Sequence, residues 1–355
     1  MQNNSFAFDA GCSALGWDTR DGKHLWGRNL DYNNLAPETA VCYIPRGTSY
    51  SPCVGGLAPA PRRTSAYAAA GTGLLALPDS PILYEGINEQ GLMGGQLYYR
   101  QFAHYAPAVR PGTDALQPPL AVYHLLAQCA CVDEVVNAIE KDVTLVSIPL
   151  FDAVPPLHWA FMDRTGEMIV IEPDERGVTI YRNTVGVMTN SPSYDWHRLN
   201  LLNYAGIRDL DYATVTVCGE NLAQCFSGSG AQGMPGDWSS PSRFVRLALL
   251  KKHAVRGSDE EAGVTGMFHL LGSAAFPLGM VRVTDEGAKS ELDGARSPYD
   301  YTIYTAVMCA ESMRFYWTTH ENRRIQYIDL NDLAAIDRSC PFDLGRQPDF
   351  LHRTV

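Results

Sequence analysis

The order of periodicities along the chain restricts its fold more than any single motif. Short runs with strand character come first, then two helices between 120 and 141. Four short strands follow between 157 and 190, then helices again, then three closing strands. No strand–helix unit recurs, and no P-loop is present. This block pattern predicts an α+β chain with two layers of mostly antiparallel sheet and helices outside, rather than a doubly wound parallel sheet. The 355 residues allow one large domain or two. No linker-like break or internal repeat divides them, so one domain is expected.

The first block contains the chemistry. Gly11–Asn33 reads as two strands around Asp18–Gly22, where Asp21-Gly22 is a strong hairpin signal. Pairing Trp17 with Lys23 sets Cys12 opposite Arg28, with Asp31 three residues on. A thiol beside a guanidinium is biased towards thiolate. A buried cysteine with a surface ion pair is the competing account. Further on, Leu92–Tyr99 reads as a strand entering the core, and Gln101–Leu116 as an irregular excursion suited to a lid or pocket wall. Leu157–Asp163, Met168–Glu172, Val178–Arg182 and Gly186–Asn190 read as an antiparallel meander. Helices are expected at Leu120–Cys131, Asp133–Lys141, Tyr194–Tyr204, Pro241–Val255 and Gly263–Gly272. Closing strands are expected at Asp300–Cys309, Arg314–Thr319 and Arg324–Asp329, and the tail after Leu330 shows little pattern.

The net charge, 28 − 39 = −11, comes without a Lys/Arg run and argues against nucleic acid or an anionic membrane as partner. Nine cysteines lack CxxC or any zinc spacing, which suits reduced thiols in a cytoplasmic protein. The first residues carry no secretory signal pattern, and no apolar run reaches membrane-helix length. No HExxH or carboxylate cluster argues for a metal or an organic cofactor.

A cysteine nucleophile needs a base. No histidine lies in register with Cys12. If the Gly11–Cys12 bond is cut, the freed α-amine, with a pKa of about 7.7–8.0, can take that role. Gly11 leaves the bond sterically open, and residues 1–11 read as a dispensable arm before a domain of residues 12–355.

Cys12 with Arg28 and Asp31 in GRNLDY resembles the choloylglycine hydrolase and penicillin V acylase family of N-terminal-nucleophile hydrolases. The segments LYEGINEQGLMGGQLYY (83–99), GVMTNSPSYDWHRLNLLNY (186–204), GMPGDWSSPSRFVR (233–246) and DYTIYTAVMCAESMRFYW (300–317) resemble later motifs of that family, in order. The resemblance implies a four-layer αββα sandwich and hydrolysis of a linear amide after autocatalytic loss of residues 1–11. It implies Cys12 as nucleophile, Asp31 as anchor of the freed amine, and Arg28 and Arg243 as partners that keep the thiol pKa low. It further implies Asn190 and the backbone N–H of Tyr98 as oxyanion donors, and a homotetramer.

The substrate implied is a small amide with an apolar acyl group. Tyr98 and GLMGGQLYY look more like a penicillin V acylase, which makes that activity the first expectation. Release of glycine or taurine from conjugated bile acids is the alternative. An unprocessed, non-catalytic ligand-binding relative is an account from another class, and a thiol hydrolase with an independent histidine base is a third.

Overall fold

The structure, a computed structural model, describes residues 11–55, 60–77, 79–151, 153–283 and 297–354. Its frame is β1 (Gly11–Asp18), β2 (His24–Tyr32), β3 (Ala40–Ile44), β4 (Ala69–Leu74), β5 (Ile82–Asn88), β6 (Met93–Tyr98), β7 (Leu157–Met162), β8 (Met168–Asp174), β9 (Gly177–Tyr181), β10 (Val187–Met188), β11 (Tyr299–Cys309), β12 (Arg314–Thr319), β13 (Gln326–Asp329) and β14 (Cys340–Phe342). The main helices are α1 (Ala121–Gln128), α2 (Val132–Asn137), α3 (Tyr194–Asn200), α4 (Ser240–His253) and α5 (Glu260–Gly272).

Two antiparallel sheets carry the fold. The first runs β10-β1-β2-β11-β12-β13, with Val281–Arg282 paired to β11; the second runs β9-β8-β7-β6-β5-β4-β3-β14. Helices α4 and α5 cover the first sheet, and α1 and α2 cover the second. This is the expected four-layer αββα sandwich. Between the sheets lie Trp26, Ile87, Met93, Leu97, Ala160 and Val170. Under α1, Val122, Leu125, Leu126, Phe161 and Ile171 form the outer core of the second sheet.

Period-two alternation explains how β1 and β2 serve two layers. A Cβ on Gly16 would meet Met162 of the second sheet, so the even positions of β1, Cys12 among them, face the inter-sheet core. A Cβ on Gly11 would meet Phe276, and Gly266 of α5 lies against Trp17, so the odd positions face the helical side. On β2, Arg28 shares the inter-sheet face with Trp26, while Asn29 donates to Leu271 O at the end of α5.

Several expectations need correction. The hairpin pairs Trp17 with Leu25, so Cys12 lies opposite Leu30 and Arg28 opposite Ala14. The turn is Thr19–Lys23, as long as the expected Asp18–Gly22 but one residue further along. Thr19 N donates to Lys23 O at 2.9 Å, Lys23 N donates to Thr19 Oγ1 at 2.9 Å, and Gly22 takes φ +84°. The slip is two residues, so every side chain keeps its face.

The fourth strand of the expected meander leaves it. After Gly186, at φ +75°, Val187 and Met188 cross to the first sheet and pair with Leu15 and Ala14. The excursion at 101–116 does wall cavities: Gln101 lines the polar one beside Asn190 and Arg243, and His104–Pro107 with Arg110 line a larger one away from Cys12, while none of its residues lines the apolar cavity at Cys12. Tyr105 donates to Pro155 O at 2.8 Å and Ala106 bridges to Val146, which ties the segment to the chain beside β7. The tail also has structure, since Cys340–Phe342 closes one edge of the second sheet against β3. A small hairpin, Val215–Val217 with Glu220–Leu222, was not anticipated. The expected arm lies outside the described residues, apart from Gly11.

Candidate active site

Cys12 sits near the start of β1, 1% exposed. Its Sγ accepts from Arg28 Nη2 at 2.7 Å. Arg28 is also 1% exposed and is held on its other side, where Nη1 donates to Gln96 O at 2.8 Å and to Glu85 Oε2 at 3.1 Å. Burial works against the guanidinium charge, but Cys12 and Glu85 together push the Arg28 pKa up. The thiol has the opposite problem. Burial lifts its pKa above the usual value, and Arg28 is the largest influence pulling it back, with Arg243 a smaller one. The arginines therefore oppose the desolvation of Cys12 without overcoming it, so the low thiol pKa expected from them is not reached here.

The Cys12 nitrogen has its own partner. It donates to Asn190 Oδ1 at 2.9 Å, and Arg243 Nη2 donates to the same oxygen at 2.7 Å. Arg243 projects from the first turns of α4, where Pro241 fits the free N–H positions of a helix start. Its Nη1 binds Cys12 O and donates to Ser13 Oγ at 2.8 Å, its Nε donates to Trp238 O at 2.8 Å, and its face lies over Phe276 at 5.1 Å.

Asn190 is fixed by its backbone. Ser240 Oγ accepts from Asn190 N at 2.9 Å and donates to Asn190 O at 2.8 Å. His197 Nε2 also reaches Asn190 O at 2.8 Å, and His158 Nε2 reaches Thr189 O at 2.9 Å. Burial lowers the His197 pKa to about 4, which keeps that ring neutral near pH 7. The side-chain amide of Asn190 donates to Tyr98 O at 2.9 Å.

Asp31 lies on the helical side of β2, paired with Gly11 across the hairpin. Thr302 Oγ1 donates to Asp31 Oδ1, while Oδ2 is buried without a hydrogen-bond partner among the described residues. Burial raises the Asp31 pKa to about 6, against the pull of Arg243, Thr302 and Arg28.

All six residues expected from sequence thus converge on one end of β1, with Asp31 on the opposite face from the thiol. The sequence reading missed Glu85, Tyr304, Thr302 and Ser13. An acid amid apolar and glycine residues in ILYEGIN was the one available signal for Glu85.

Two cavities meet here. One, of about 320 Å3, is mainly apolar and runs from Cys12 and Arg28 past Leu30, Ile82, Tyr84 and Leu157. The other, of about 390 Å3, is more polar and is lined by Gly11, Arg100, Asn190, Arg243 and Asp300. Tyr98 lines both. A larger cavity of about 740 Å3 lies elsewhere, around His104, Arg110 and Asp174, and does not include Cys12. Among the described residues no group of three His, Cys, Asp or Glu is placed to hold a metal. Among the same residues no helix is long and apolar enough to cross a membrane.

An αββα sandwich with a cysteine near the head of an inner strand, its nitrogen and thiol each met by an arginine-centred network, defines the class of N-terminal-nucleophile cysteine hydrolases. The chain belongs to the linear amide C–N hydrolases of the choloylglycine hydrolase family, which it matches over residues 12–340. The bile salt hydrolase/transferase of Clostridium perfringens is 32% identical over 322 residues, 90% of this chain and 92% of that protein. The bile salt hydrolase/transferase of Bifidobacterium longum subsp. longum is 30% identical over 327 residues, 90% and 96% of the two chains. A mutant of the conjugated bile acid hydrolase from Clostridium perfringens superposes with a TM-score of 0.85 at 29% identity, covering 97% of this chain and 100% of that one. The penicillin V acylase from Agrobacterium tumefaciens has a TM-score of 0.69 at 18% identity, covering 91% and 87%, a likeness of fold alone.

Proposed function

We propose that the chain hydrolyses the amide of conjugated bile salts, with Cys12 as the nucleophile after loss of residues 1–11. The observation that carries the chemistry is the 2.7 Å contact of Cys12 Sγ with Arg28 at the mouth of an apolar cavity. The amide acyl group enters that cavity, and the leaving amine faces the polar one beside Asn190 and Arg243. The thiolate attacks the carbonyl carbon, and the oxyanion is met by the Asn190 amide and the Tyr98 backbone N–H. Donors set in advance in this way are worth on the order of 10²–10³ in rate each. The Cys12 α-amine takes the thiol proton and passes it to the leaving nitrogen, and Asp31 Oδ2, buried and unpartnered among the described residues, seats the ammonium charge in between. Water then releases the acyl group from sulfur.

Maturation uses the same thiol: Cys12 Sγ attacks the Gly11 carbonyl carbon, the Gly11–Cys12 C–N bond breaks as the thiol proton passes to the freed α-amine, and water hydrolyses the resulting thioester. The nine unpaired thiols support a reducing, cytoplasmic setting. The exposed apolar residues of the Val215–Leu222 hairpin support burial between copies in a homotetramer.

The order expected from Tyr98 and GLMGGQLYY is reversed. Similarity to bile salt hydrolases along nine-tenths of the chain outweighs one short segment that favours an acylase. Penicillin V stays as the second reading on one observation, the Tyr98 ring stacked on Tyr32 at 6.3 Å in the acyl cavity, a surface for an aromatic acyl group. Turnover of glycocholate, taurocholate and penicillin V by the purified protein separates the two. Turnover of penicillin V alone overturns the first reading. A stable full-length chain by intact mass, inactive on all three, overturns both.

A further inference from the structure

Glu85 has no part in the chemistry above, yet it is 0% exposed and lies directly behind the catalytic arginine. A lone buried carboxylate is costly unless it is paired and hydrogen-bonded. Here it is both. Oε2 accepts from Arg28 Nη1 at 3.1 Å, and Tyr304 OH donates within 2.9 Å of both carboxylate oxygens. The three groups come from three strands of two sheets: β5 supplies Glu85, β2 supplies Arg28 and β11 supplies Tyr304.

The backbone is shaped to admit this carboxylate. The pairing of β4 with β5 slips between Thr72 and Gly73, which leaves Tyr84 as an extra residue and turns Glu85 into the inter-sheet layer. Opposite it stands Gly95, where a Cβ would lie 2.7 Å from Glu85 Cβ and 2.8 Å from the Trp26 ring. A glycine there makes room for the acid between the sheets.

We propose that Glu85, oriented by Tyr304, is a positioning residue that turns Arg28 Nη2 onto Cys12 Sγ and, by sharing the guanidinium charge, limits how far Arg28 stabilises the thiolate. The inference rests on Cys12 as the nucleophile. A guanidinium is a planar fork, so fixing Nη1 on Glu85 and Gln96 O fixes the direction of Nη2. Tyr304, Thr72, Tyr84 and Arg28 act on the carboxylate, and Arg28, Arg243 and Tyr98, with Asp31 from the other side of β2, act on the thiol. Of these, Arg28 alone touches both groups.

The test uses the mature protein and Glu85→Gln, Glu85→Ala and Tyr304→Phe variants, with Cys12→Ala as control. Alkylation of Cys12 by iodoacetamide is followed by peptide mass across pH, together with kcat and KM. Glutamine keeps an acceptor for Arg28 and removes the charge, so its alkylation midpoint falls by roughly one pH unit while kcat stays within about tenfold. Alanine releases Arg28, and kcat falls by at least about tenfold with KM nearly unchanged. Tyr304→Phe shows a smaller loss in the same direction. A Glu85→Gln midpoint equal to that of the unaltered protein overturns the proposal, even where stability falls and even where Glu85→Ala fails to fold. Activity retained by Cys12→Ala instead overturns the nucleophile assignment, which separates the two failures.

Discussion

One oxygen, Asn190 Oδ1, receives both the Cys12 backbone N–H at 2.9 Å and Arg243 Nη2 at 2.7 Å. The nitrogen that would become the α-amine in the proposed cleavage is thus already located in the uncut chain. The same side chain donates to Tyr98 O, so Asn190 joins the two sheets where the two cavities meet.

Asn190→Ala removes these contacts together. We expect kcat for the preferred amide to fall by roughly 10²–10³ with a small change in KM, as for loss of one preset donor. Steady-state kinetics beside intact mass checks this, because a variant that still matures but turns over slowly isolates the catalytic loss.

Arg243→Lys tests whether charge or geometry matters. Arg243 spans Trp238 O, Ser13 Oγ, Cys12 O and Asn190 Oδ1, a set that one ammonium cannot reproduce. The expected result is a kcat reduced by at least about tenfold despite retained charge. Full activity in the lysine variant would show that only the charge is needed.

Thr302→Val removes the hydroxyl that donates to Asp31. That bond opposes the burial that raises Asp31 to about 6, so its loss moves the carboxyl higher still. If charged Asp31 seats the α-amine, the acid limb of kcat/KM shifts to higher pH in Thr302→Val and returns in Thr302→Ser. A pH profile titrated in quarter-unit steps resolves the shift.

Asp300 offers a stability test outside the catalytic set. Burial and the nearby Asp31 raise its pKa to about 7, against Arg100 and Arg243, and its Oδ1 is buried without a hydrogen-bond partner among the described residues. The folded carboxyl keeps its proton to about pH 7, whereas an unfolded aspartate loses it near pH 3.9. The native state therefore binds more protons between those values, and stability falls as pH rises through that window. Asp300→Asn should flatten the decline in Tm between pH 4 and 7 and leave the variant more stable than the parent at pH 8. Thermal melts at pH 4.5, 6 and 8 check the sign.

Gly95→Ala should destabilise the fold. The added methyl meets Glu85 Cβ and the Trp26 ring inside van der Waals distance, and overpacking of this kind costs about 1–3 kcal/mol. Urea unfolding measures it, and an unchanged midpoint would mean that the sheets yield more easily than their packing suggests.

The sequence by itself determined the parts that depend on short-range pattern. Asp21-Gly22 set the hairpin, and period two put Cys12 and Arg28 on one face. That parity survived an error of two residues in register, since an even slip leaves each side chain on its own side. The block order of strands and helices determined the layers. The family motifs, rather than any periodicity, marked Asn190, Tyr98 and Arg243. What only the tertiary structure decided is the network around the thiol. Glu85 reaches Arg28 from 57 residues away, Asn190 reaches Cys12 from 178, and Tyr304 reaches Glu85 from 219. Hydrophobic alternation records which face of a strand is buried, but not which distant polar group will share that burial. That choice is made when the two sheets close on each other and each buried charge must find its partner.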